Sequence, residues 1–204
     1  MTPLRCSAIQ LKKLILSPQL QNKESRAIRI DPWYFSNMES LDLTTHPPRS
    51  PYQKMEGVFM LPRTIDKLRA NLPGGKIGAY TIRGSSPLLP GLSLVLLDGI
   101  GVTEQRLLEV VERASVEEEI ADWLRQNGDF STTAALNQKL LGRRIEDVQA
   151  VVPPTVIAKV YPFMNEMAKT TPMFDVLLED DRLLALSEMK VDERSARKST
   201  PSTQ

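Results

Sequence analysis

An all-α fold is what this sequence predicts: one small domain of five to seven short helices, with irregular Pro- and Gly-rich connections and disordered ends. Three observations carry it. Apolar residues recur at spacings of three and four from Leu61 onward. Helix-start and helix-stop residues bound those stretches. No internal repeat interrupts them, so no solenoid is indicated.

Residues 1–37 read as an N-terminal extension, because Pro18, Asn22, Pro32 and Ser36 break up its few apolar groups. The helical domain is placed at 38–187. Three prolines between His46 and Pro51 keep that segment extended. In LPRTIDKLRANLPGG, Pro62 suits a first helical position, and Ile65, Leu68 and Leu72 form an apolar stripe. Arg63, Asp66, Lys67 and Arg69 then face away from the core, with Asp66 within reach of both arginines. Pro73 to Gly75 stop this helix.

PGLSLVLLDGIG fits a helix with Leu92, Val95 and Leu96 on one face. Thr103 is placed as the N-cap of a helix burying Leu107, Leu108, Val111 and Ala114. Ser115 and Glu118 have the spacing of a capping box, ahead of a buried Ile120, Trp123 and Leu124 and a Gly128 stop. A helix over 131–141 turns Ala135, Leu136 and Leu140 inward and ends at Gly142. Weaker helices are expected over 155–169, disturbed by Pro162, and over 174–186. The charged segment 188–204 reads as a disordered tail.

Composition excludes several classes. Of the 204 residues, 41% are hydrophobic and 25% charged, as in an ordinary globular chain. No apolar run reaches the roughly 20 residues that span a bilayer, so no membrane association is expected. The single cysteine, Cys6, permits no internal disulfide framework, which points to the cytoplasm. A net charge of +1 argues against a dedicated nucleic-acid binder. The charge is unevenly placed. Arg49, Lys54, Arg63, Lys67, Arg69, Lys76 and Arg83 face only Glu56 and Asp66 between residues 47 and 83.

The familiar catalytic patterns are missing. The only histidine, His46, stands in the proline-rich loop, and His46 with Cys6 is too small a set for a structural zinc site. No metal or cofactor is therefore expected. GGKIG and GIG lack the spacing of phosphate-binding loops and read as helix stops. Asp180 and Asp181 read as a solvated turn.

What chemistry there is centres on the Leu61–Ala70 helix. Arg63 and Lys67, one turn apart, pair a guanidinium fork with a point charge, a combination suited to a carboxylate or phosphate. Arg49 follows a rigid proline pair and lies close enough in the chain to fold back beside them. The expected anion site is Arg49, Arg63 and Lys67, with Tyr80 as hydrogen-bond donor and Asp66 holding Arg63 in place.

The run LDLTTHPPRSPYQKMEGVFMLPRTIDKLRANLPGGKIGAY, the PL and GI pairs after it, and VEEEIADWLRQNG together resemble the bacterial domain-of-unknown-function family 5069. The likeness covers residues 41–128 and reaches weakly to FDVLLEDDR. Its most specific parts are PPRSP, LPRTIDKLRA and the acidic run before Trp123. The family often has Cys-Pro-Leu-Asp where this chain has Ser86, Pro87, Leu88 and Leu89. The resemblance implies a small, largely helical domain and brings no activity, substrate or cofactor.

Two functions fit these residues. One is a non-enzymatic module that binds a small anionic metabolite or an acidic partner through its basic face. The other is a small-molecule enzyme using Asp66 and Tyr80 for proton transfer, with Arg49 and Arg63 as anion clamps. The sequence leaves open whether the chain is an enzyme, and it leaves its oligomeric state open.

Overall fold

The computed structural model describes residues 38–84, 87 and 89–198, with side chains through residue 187. The expected extension at 1–37 and the last six residues lie outside the described part. Eight α-helices occupy the described residues, with one small hairpin ahead of them: β1 (Lys54–Met55), β2 (Val58–Phe59), α1 (Leu61–Arg69), α2 (Leu92–Gly99), α3 (Glu104–Arg113), α4 (Glu117–Asn127), α5 (Thr133–Gly142), α6 (Ile145–Val151), α7 (Pro154–Val160) and α8 (Met173–Lys198). A 3-10 segment at Pro162–Glu166 links α7 to α8. None of these helices is long and apolar enough to cross a membrane.

The hairpin is an addition to the expected all-α fold. Lys54 pairs with Phe59 and Met55 with Val58. Glu56 and Gly57 between them both take positive φ (50° and 76°), as a two-residue hairpin turn of this hand requires. Glu-Gly is a weaker turn signal than Asn-Gly, so the sequence does not announce it. Asn137 on α5 clamps the turn, accepting from the Phe59 N–H (3.1 Å) and donating to the Gly57 carbonyl (2.8 Å).

The core is one continuous apolar cluster through Ile65, Leu68, Leu96, Leu107, Val111, Ile120, Leu124 and Leu140. The expected stripes of α1 to α5 fill it, with adjustments: Val95 and Leu108 pack against it only half-buried. Ala135 is exposed, so α5 turns Leu136 and Leu140 inward without it. Trp123 is only half-buried against the cluster, beside Val110 and Ala114 of the α3 segment. Trp123→Ala should therefore cost about 2 kcal/mol, below the range for a fully buried aromatic. Urea unfolding of the two proteins measures the difference.

Thr103 caps α3 as expected, its hydroxyl accepting from the Arg106 N–H (3.2 Å). The capping box of α4 is shifted by one residue. Glu119, not Glu118, reaches back to the Ser115 N–H (2.7 Å), and Val116 occupies the cap position.

Helix α6 was not expected. Ile145 and Val148 are buried on it, and Asp147 accepts from the Arg144 N–H (2.7 Å) at its start. The expected 155–169 helix divides at Tyr161–Pro162, where the proline cannot continue the ladder. At the other end α8 runs to Lys198, past the boundary at 187. No Pro or Gly occurs between Met173 and Lys198, and Leu, Ala, Glu, Lys and Arg there favour the helix.

Candidate functional site

Helix α1 is not the amphipathic surface helix of the sequence reading. Leu61, Pro62, Arg63, Thr64, Ile65, Asp66, Lys67 and Leu68 are all buried on it. Residues four apart share a helix face, so Arg63 and Lys67 project together. Asp66 points to a different side.

Asp66 does not bridge Arg63 and Arg69. It binds Arg49 instead, accepting from its backbone N–H (2.8 Å), Nε (2.9 Å) and Nη2 (2.8 Å). Arg49 also donates to Glu117 of α4 through Nη1 (3.0 Å). This group fastens the proline-rich loop to α1 and α4 and borders a shallow depression that includes His46 and Arg69. Arg69 itself donates to the Glu39 carbonyl (2.7 Å).

Arg63 takes its partner from α8. Its Nη1 and Nη2 donate to the two oxygens of Asp181 at 2.8 and 2.7 Å. The two residues are 1% and 6% exposed, so this is a buried fork-to-carboxylate pair. Nη1 also reaches the carbonyls of Pro48 (3.3 Å) and Arg49 (3.2 Å). Among the described residues the Arg63 Nε–H finds no acceptor.

Beside this pair opens a cleft of about 680 Å³. Arg63, Lys67, Tyr80, Lys159, Tyr161 and Asp180 line it. Val156, Val160 and Leu177 give it apolar walls. Such a volume, with a few converging polar groups, is typical of small-molecule sites. The Tyr80 ring lies 5.6 Å from the Arg63 guanidinium carbon, within cation–π range.

Lys67 is the unusual member. Its amine donates to the Thr81 carbonyl (3.0 Å), and among the described residues no carboxylate stands within ion-pair distance. Burial, helped by the Arg63 charge, brings its pKa down to about 7. Asp180, half-buried, lines the same cleft. Burial first, then the neighbouring Asp181 charge, push its carboxyl up to about 6. Burial likewise raises the Tyr161 hydroxyl to about 12 and moves Tyr80 upward. Two groups lining the same cleft thus change charge within the neutral range.

Of the expected site residues, Arg63, Lys67 and Tyr80 come together, and Arg49 does not join them. Asp66 lies with Arg49 and holds that arginine in place of Arg63. Arg63 itself is occupied by Asp181, so its Nη groups are not an open clamp. The residues that sequence reasoning missed are Tyr161, Asp180 and Asp181. A signal for the acids was present: Met173–Phe174, Val176–Leu177 and Asp180–Asp181 step along α8 at helical spacing. The acids therefore continue its inward stripe and do not lie in a solvated turn.

No curated protein sequence matches the chain. Residues 45–152 match the family model for a domain of unknown function, DUF5069. That segment extends past the 41–128 likeness at its C-terminal end. It contains Arg63, Lys67 and Tyr80, whereas the cleft residues Lys159, Tyr161 and Asp180 and the Arg63 partner Asp181 come from the residues after it. The matched segment is more than half of the 204 residues, and the chain therefore belongs to the DUF5069 family.

Proposed function

We propose that this protein binds a small organic anion with an apolar body in the cleft between α1 and α8. The observation that supports this most is the Lys67 amine, a buried group that has no carboxylate within ion-pair distance among the described residues, on the wall of a ligand-sized cleft. An anionic headgroup near Lys67 would supply the missing counter-charge, and Lys159 at the rim adds a second positive charge. Val156, Val160 and Leu177 suit an apolar or aromatic remainder. The Arg63–Asp181 pair contributes a rigid base and little net charge. The proposal keeps the cytoplasmic setting suggested by the lone Cys6, and it requires no nucleic acid.

The protonation behaviour of the cleft gives this reading a directional test. As pH falls from 8 to 5, Lys67 gains a proton around pH 7 and Asp180 around pH 6. Both changes make the cleft more positive, so anion affinity should rise as pH falls. Benzenesulfonate is a suitable probe, because its own charge stays constant over this range. Calorimetry should show its affinity increasing on the order of tenfold or more from pH 8 to pH 5.5. Binding independent of pH, or strengthening as pH rises, would contradict the proposal.

A further inference from the structure

We propose that Lys67 is a nucleophilic amine that forms a reversible imine with small 2-oxo acids held in the cleft. This rests on the anion-binding reading above and names the class of ligand. Four features of the site support it. Lys67 is 6% exposed and lines the cleft, and its amine is held only by the Thr81 carbonyl among the described residues. An amine this deeply buried loses its proton readily; the Arg63 charge adds to the effect, and the Asp181 carboxylate paired with Arg63 offsets part of it. Asp180 faces the same space as a carboxyl able to exchange a proton. The Lys159 charge at the rim remains to meet a carboxylate.

The step balances without an outside reagent. The neutral Lys67 nitrogen attacks the carbonyl carbon; a C–N bond forms and the C=O π pair moves to oxygen, which takes up a proton. The nitrogen then releases a proton. Asp180, in its acid form, protonates the hydroxyl, which leaves as water while the C=N bond forms as an iminium, and the iminium nitrogen returns its proton to the Asp180 carboxylate. Amine and carbonyl become imine and water, nothing is oxidised or reduced, and hydrolysis runs the same steps backwards. The 2-oxo acid class follows from the groups present: a carbonyl for Lys67, a carboxylate for the positive charges, and an apolar substituent for the Val156, Val160 and Leu177 walls. A lysine that serves only to tie α1 to the Thr81 carbonyl would show no preference for such compounds.

The full-length protein is incubated at pH 7 with phenylpyruvate and sodium cyanoborohydride, which reduces an imine to a stable secondary amine. It is then digested and the modified lysines are mapped by mass spectrometry. Labelling at Lys67 should run about tenfold faster than at any other lysine. Phenyllactate, which has the carboxylate and ring but no carbonyl, should slow it, and Lys67→Arg should abolish it. Label absent from Lys67, or spread evenly over surface lysines, overturns the imine. If phenyllactate nonetheless binds by calorimetry, the anion-binding cleft stands alone. If phenyllactate does not bind either, both readings fall. The wild-type map decides the matter even if Lys67→Arg fails to fold.

Discussion

Asp181→Asn should destabilise the protein by about 3–5 kcal/mol, the cost of leaving a buried guanidinium without its counter-ion. Arg63 is 1% exposed, and water cannot replace the carboxylate that meets both its Nη groups. For a chain of this size the loss lowers the melting temperature by roughly 10 °C or more. The double change Arg63→Met with Asp181→Leu removes both charges and fills similar volume, so it should recover most of the stability. Equal costs for the single and double changes would mean that packing, not the charge pair, holds α8 to α1. Thermal unfolding of the three proteins separates the cases.

Lys67→Met should do the opposite and raise stability by about 2–3 kcal/mol at pH 7. The Lys67 amine has a pKa of about 7 in the folded protein against an ordinary 10.5, so the unfolded chain holds more protons between those values. Stability therefore rises with pH across that window. The penalty is fully present below about pH 7 and disappears as pH approaches 10.5. Methionine fills the same space without a charge, and the lost bond to Thr81 offsets only part of the gain. The advantage of Lys67→Met in melting temperature, about 5–10 °C at neutral pH, should shrink as pH rises toward 10. A substitution that stabilises while abolishing anion binding is what a residue retained for function predicts. A less stable Lys67→Met protein would make the lysine structural.

Much of the fold was legible because it rests on local pattern. The Thr103 cap, the Gly128 stop and the stripes through Leu107, Ile120 and Leu140 depend on residues within one or two turns. What the sequence hid are pairings between distant residues. Arg63, Asp66 and Arg69 form a plausible surface ladder at i, i+3, an arrangement that contributes only a few tenths of a kcal/mol. That ladder loses to partners 17 and 118 residues away, because Asp66 gains a backbone N–H and a guanidinium from Arg49, and Arg63 a two-point contact with Asp181. Helix spacing did place Arg63 and Lys67 on one face, and Tyr80 follows the same helix closely enough to join them. The rigid proline pair before Arg49 and its short distance from α1 in the chain point to the same face. The destination of Arg49 is set by which carboxylates it can reach, and those come from two helices, Asp66 on α1 and Glu117 on α4.

The central claim is that Lys67 presents a buried amine to an anion in the cleft, and its own titration tests this most directly. With lysines labelled at Cε with carbon-13, the Lys67 signal can be followed against pH by NMR, with Lys67→Met giving the assignment. The account predicts a midpoint near 7 in the free protein, moving upward when benzenesulfonate is added, because a bound anion favours the protonated amine. A midpoint in the ordinary lysine range, or one that the anion leaves unchanged, would contradict it.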